Sequence, residues 1–160
     1  PYDYRNTITD IFYELGKISA KFLQGQLLIA VIIGVLETIG LYLLKVPYAI
    51  LLGIIGGFSN LIPYFGPFIG AVPAVIVALL ASPTKALWTF LLFVGVQQFD
   101  NNFLGPKIIE GKLGIHPVTT IVVVFLGGEF FGIAGVFLAV PVYAMIRAIT
   151  VRWYRSLLSK

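Results

Sequence analysis

The chain has 160 residues, of which 59% are hydrophobic and 11% charged, with a formal net charge of +4. A soluble domain carries about 25% charged residues, so too few charges remain here to cover a water-facing surface; a mean hydropathy of +0.98 fits a membrane protein instead. The absence of cysteine excludes disulfides and thiol chemistry, and no dense basic run with interleaved aromatics supports a nucleic-acid partner.

Residues 2–24 read as an amphipathic helix. Ile8, Ile11, Phe12, Leu15, Ile18 and Phe22 follow helical spacing, while Asp10, Glu14, Lys17 and Lys21 fall elsewhere. Such a helix either lies along a membrane surface or leads into a span. The polar start, with Asp3, Asp10 and Glu14, is not a signal peptide. A chain beginning at Pro1 is expected to be a fragment or a processed product.

Residues 22–44 form the first good span, since about 20 apolar residues cross a bilayer, and Lys45 and Pro47 break it. Residues 47–61 are apolar, short and glycine-rich. Apolar sequence then runs to Ala81, SPTK (82–85) is expected to turn, and residues 86–104 make another span with Trp88 near its start. GPKIIEGKLGIHP (105–117) reads as a loop. Residues 118–131 and 133–150 are apolar again, the second with Pro141 inside. The tail carries Arg147, Arg152, Arg155 and Lys160 beside Trp153 and Tyr154, as a cytoplasmic C-terminus does. Six apolar segments predict four or five crossings plus one re-entrant or broken element. AVP recurs at 71–73 and 139–141, the kind of trace an internal repeat leaves.

Polar residues in apolar runs must face protein or a wet cavity. Glu37 lies beside Gly34 and Leu41, next to the small-residue stripe Ala30, Gly34 and Thr38, and therefore points at protein. It suits an ion or proton site, or a neutral acid bonded to a neighbouring helix. Gly53 and Gly57 form a GxxxG packing face that ends at Asn60, a helix cap or a ligand contact. In VQQFDNNFLGP, Gln97, Asp100 and Asn101 share one helical face, and Gln98 and Asn102 another. They either sit at the membrane interface or line a translocation path. His116 precedes Pro117, which suits a helix start. As the sole His it makes a metal site improbable. Gly128, Gly132 and Gly135 are spaced as a packing stripe, and Glu129 lies one position off it, in a short surface loop. Hydrolase triads lack parts and there is no P-loop, so the chain is not expected to be an enzyme.

The stretch NLIPYFGPFIGAVPAV (60–75) places Pro63, Pro67 and Pro73 with Gly66 and Gly70 in apolar sequence. Breaks in hydrocarbon are tolerated only where protein shields them or a cavity receives them. Pro73 frees the carbonyl of Ile69, and Pro67 is expected to cost a second helical bond. Three prolines with two glycines between them favour a broken hairpin over a kinked helix.

IPYFGPFIGAVPA resembles the I-P-Y-x-G-P-x-I-G-x-x-P-A motif of the AI-2E family, the autoinducer-2 exporter-like permeases. QFDNNFLGPKIIEGKLGIHP is similar to that family's second motif, and FLGGEFFGIAGVFLAVPVYAMI to its terminal one. The three stand in family order over about residues 20–150. The motif residues carried over are Pro63, Tyr64, Gly66, Pro67, Gly70, Pro73, Gln97, Asp100, Asn101, Pro106, Gly111, His116 and Pro117. Gly127, Gly128, Gly132, Gly135 and Pro141 complete the set. Asp100 stands where Glu is common in the family, and Glu129 at a variable position. Family members are about twice this length, so the chain resembles their C-terminal half.

The expected fold is all-α, a polytopic transmembrane helical bundle with a broken or re-entrant hairpin. It is expected as a single membrane domain: residues 1–24 lead in, and 22–155 supply the transmembrane and re-entrant helices. The resemblance implies a homo-oligomer in a bacterial or archaeal cytoplasmic membrane that exports a small polar solute; no cofactor is expected beyond a coupling proton or sodium ion. The path would pass Asn60, Pro63, Tyr64, Gly66, Pro67, Gln97, Asp100, Asn101 and Glu37. Two other readings stay open: a sodium(lithium)/proton antiporter using Glu37 or Asp100, and a non-transporting scaffold packed through its glycine faces.

Overall fold

Apolar sequence of this kind folds as helix because a helix pairs its own backbone groups where no water is present to do so. The structure, a computed structural model, describes residues 2–108 and 116–158. Every regular element among them is helical. In chain order they are α1 (Tyr2–Leu43), α2 (Ala49–Ser59), α3 (Gly66–Ala81), α4 (Pro83–Phe99), a π-helix π1 (Asp100–Leu104), α5 (Gly105–Ile108) and α6 (Pro117–Leu158). Ala20–Leu43 is long and apolar enough to cross a membrane; Val118–Val151 is as apolar but bends at Gly132, and α2 and α3 are apolar but shorter. Contacts divide the chain into two compact units, Gly25–Lys112 and Pro1–Gln24 with Leu113–Lys160.

In the first unit, α1 ends where expected. Lys45 takes a left-handed φ of 54°, and its N–H reaches Tyr42 O while Val46 N–H reaches Leu41 O, each at 3.0 Å. The first span packs on α2 backbone to backbone. A Cβ at Gly34 would lie 3.1 Å from Gly53 O, and one at Gly57 would lie 2.7 Å from Gly34 Cα. The stripe Ala30, Gly34 and Thr38 thus meets the GxxxG face of α2, and close approach of this kind drives helix association in lipid. The turn expected over 82–85 shrinks to Ser82. Its hydroxyl accepts the Lys85 N–H at 3.1 Å, and Pro83 opens α4 where a missing N–H costs nothing. Leu41, Leu52, Ala74, Ala78 and Phe93 form part of the core. The outward faces carry exposed Val35, Ile39, Ile54, Val72, Ile76 and Leu80. In water such a surface would aggregate; its chemistry suits lipid or further apolar helices.

Proline placement corrects one expectation. Pro67 falls in the first turn of α3, where no helical bond is lost; Pro73 alone interrupts the interior, and the helix continues through it. The break is therefore confined to residues 60–65. The loop expected from Gly105 also starts later, because residues 105–108, Pro106 included, are helical. The remainder of that loop, with Glu110, Gly111 and Lys112, lies outside the described residues, as do most side chains of the lead-in helix and those of Arg152, Trp153, Tyr154, Arg155 and Lys160.

In the second unit, α6 starts on His116, whose Nδ1 accepts the Val118 N–H at 3.3 Å. Gly132 then interrupts α6 with φ 61° and ψ −145°. The arms fold back on each other: a Cβ at Gly127 would lie 2.6 Å from Gly135 O and 2.9 Å from Ala139 Cβ. This corrects the stripe Gly128, Gly132 and Gly135. A continuous helix would align the three, but Gly132 is the bend, and Gly128 and Gly135 sit on opposite arms. Glu129 is exposed within helix, not in a loop, and Pro141 is buried in the second arm.

Candidate functional site

The site is built where α2 stops. Ile62 N–H bonds Ser59 O at 2.9 Å, Gly66 N–H bonds Ile62 O at 2.8 Å, and Phe65 N–H bonds Pro63 O at 2.8 Å. That last bond spans only two residues, around Tyr64 at φ 65°. It makes a γ-turn, a tight and strained form for any residue with a Cβ. The ends of the loop meet because Gly66 lies against backbone: a Cβ there would sit 2.7 Å from Asn60 Cα. Glycine is required at that approach. The loop leaves Tyr64 exposed and turns Asn60 inward, 6% exposed.

α4 supplies the other wall. Ala86, Thr89 and Phe93 form its buried face, and Asp100 continues that face at the start of π1. The Asn60 amide donates to Asp100 Oδ2 at 3.4 Å, and Gln97 Nε2 donates to the same oxygen at 3.5 Å. Gln97 also donates to Asn101 Oδ1 at 3.2 Å. Gln26, on α1, donates to the Asn60 carbonyl at 3.1 Å. The wider π turn brings Asn102 back to the Gln98 carbonyl at 2.7 Å; π turns gather at functional sites.

One carboxylate oxygen is thus held by amides while the other, Asp100 Oδ1, is buried with no partner. An unpaired buried acceptor is costly. It can take a hydroxyl or ammonium donor, or a cation. Glu37 stands apart from this network. It is buried, 4% exposed, with Oε2 against Gly56 and unpartnered. The expectation that it points at protein holds. Thr89 Oγ1 is buried and unpartnered as well.

A family model, AI-2E family transporter, matches residues 1–155. The chain belongs to the AI-2E transporter family. It is therefore an integral membrane protein, in keeping with its composition and apolar helices. It is 46% identical over 148 residues to "Putative transport protein YueF" of Bacillus subtilis (strain 168), covering 92% of this chain and 40% of that protein. It is 41% identical over 156 residues to "Putative transport protein YrrI" of the same organism, covering 97% and 44%. To "Putative permease PerM" of Escherichia coli (strain K12) it is 30% identical over 151 residues, covering 93% and 43%. The chain spans less than half the length of these relatives. No solved structure matches it.

Of the residues expected along the path, Asn60, Gln97, Asp100 and Asn101 come together in one hydrogen-bonded cluster, and Pro63, Tyr64, Gly66 and Pro67 shape the loop beside it. Gly70 serves packing: a Cβ there would lie 2.6 Å from Gly56 Cα. Pro106 is exposed, and His116 caps α6. Sequence reasoning missed Gln26. Its signal was present, since Gln26, Ala30 and Gly34 repeat every four residues along the stripe that packs on α2.

Proposed function

We propose that the protein is a secondary transporter that exports a small polar molecule of the autoinducer-2 kind by alternating access. The observation that carries this is Asp100 Oδ1, a buried acceptor without a partner beside a broken helix end, the arrangement by which transporters receive solutes. The names of the relatives support transport; a bacterial cytoplasmic membrane and a homo-oligomer belong to the proposal, as the resemblance in motif sequence implies. Arg147, Arg152, Arg155 and Lys160 support a cytoplasmic C-terminus, and the exposed aliphatic faces would meet lipid.

The test is uptake of autoinducer-2 into inverted membrane vesicles carrying the full-length protein. Asp100→Asn and Asn60→Ala should each lower uptake about 10- to 100-fold, the equivalent of the ~1.5–3 kcal/mol carried by hydrogen bonds to a charged group. Unchanged uptake in both variants would exclude the site.

A second reading, sodium- or lithium-coupled proton antiport, draws on Glu37. Its Oε2 has no partner, and α2 and α3 contain no ionisable residue to neutralise a charge there. It predicts sodium-dependent proton movement in proteoliposomes that Glu37→Gln abolishes; no ion-dependent signal between about pH 6 and 9 would remove it.

A further inference from the structure

Asn60 is where four elements meet. Its N–H bonds Gly56 O at 3.1 Å and so closes α2. Its Cα faces Gly66, the first residue of α3. Its side-chain amide donates to Asp100, at the head of π1. The fourth contact comes from α1. In a continuing helix the Asn60 carbonyl would accept the N–H of Tyr64, but Tyr64 is turned into its left-handed conformation and that bond is gone. Among the described residues no backbone N–H replaces it. Gln26 does, from 34 positions earlier.

We infer that Gln26 is a positioning residue of the Asp100 site: its amide pins the Asn60 carbonyl, which fixes the Asn60 peptide and holds the side-chain amide on Asp100 Oδ2, leaving Oδ1 as the free acceptor. The inference rests on the proposal that Asp100 receives the solute. A Gln is suited to the task. It is neutral, so it adds no charge beside the carboxylate, and its amide nitrogen donates across the gap between two helices. The contact sits at the end of the Ala30–Gly34 stripe, where glycines bring the α1 and α2 backbones close enough for a side chain of this length to reach. Removing it leaves a carbonyl unpaired at a loop already strained at Tyr64, and the cheapest relief is for the Asn60 peptide to rotate. That takes the side-chain amide off Asp100.

The experiment is a double-mutant cycle on the full-length protein in liposomes, read by dicyclohexylcarbodiimide modification of each carboxyl, quantified by peptide mass spectrometry. This reagent needs no solute, so its result is separate from whether uptake is seen. Glu37, three turns along α1 and outside the network, is the internal control for packing. Gln26→Met, close in shape but without a donor, should speed modification of Asp100 about three- to tenfold while Glu37 changes less than about twofold. Asn60→Leu should give the same acceleration, and the double variant should be no faster than Asn60→Leu alone, because Gln26 acts through Asn60. Should Asn60→Leu fail to accumulate in membranes, Asn60→Ser supplies the same cycle. Unchanged Asp100 reactivity in Gln26→Met, effects that multiply in the double variant, or parallel changes at Glu37 would each overturn the inference. Wild-type vesicles without autoinducer-2 uptake, in which the cycle still behaves as described, would remove the solute reading and leave the positioning role standing.

Discussion

The chain interrupts apolar helix at residues 60–65 and again at Gly132, and the two breaks are built differently. The first spends five residues beyond Asn60 on turning, forces a tyrosine into a left-handed conformation, and buries Asn60 on Asp100. The second needs one glycine, at φ 61° and ψ −145°, and gathers no buried carboxylate among the described residues; Glu129 nearby is exposed. Freed backbone in a helix break is therefore not a binding site by itself. At 60–65 the break delivers a side chain to a carboxylate. At Gly132 it only lets two arms fold together, with Gly127 against Gly135.

Gly66→Ala tests the first break most severely. The added Cβ would lie 2.7 Å from Asn60 Cα and from the Ser59 carbonyl carbon, and closer still to Ser59 O. These are backbone atoms that cannot rotate away, so the loop must open. A loss of about 2–3 kcal/mol is expected, seen as a lower Tm of the detergent-solubilised protein, with uptake falling alongside it. Wild-type Tm and uptake would mean that the loop is slack and its closure on Asn60 irrelevant.

Gly132→Ala tests the second break and should do less. The space around a Cβ there is empty, so the penalty is conformational only, about 1–3 kcal/mol for a non-glycine residue in that region. Tm should fall while the KM for uptake by the surviving protein stays at the wild-type value. A raised KM would give this hinge a part in solute binding that its side chains do not suggest.

Local periodicity made much of this legible in the sequence. The faces Ala30, Gly34 and Thr38 and Gly53 and Gly57 follow from four-residue spacing, and each proved to be the partner the other lacked. Gln97, Asp100 and Asn101 likewise share a face because their spacing survives the entry into π1. What stayed hidden depends on register or on distant partners. The π turn has no local signature, and the Gln26–Asn60 bond joins positions 34 apart. The stripe through Gly132 assumed an unbroken helix, which a positive φ at one glycine removes. Pro67 differs from expectation for a related reason: a proline costs a helical bond only in the interior, and nothing in the local sequence marks the start of α3 at Gly66.

The smallest expected effect belongs to Gly95→Ala, and it bears on what surrounds the first unit. Gly95 sits inside α4 on an exposed face, and a Cβ there would meet nothing within 4 Å. Its backbone is helical, so alanine fits without strain and should add up to about 1 kcal/mol through helix propensity alone. Tm should hold or rise slightly, with uptake unchanged. The contrast with Gly66→Ala is then a contrast between a glycine needed for approach and one that is not. A loss as large as that of Gly66→Ala would carry a different meaning. Within this unit nothing lies near enough to clash, so the clash would have to come from a helix outside it, which would mark the outer face of α4 as a packing surface rather than a lipid-facing one.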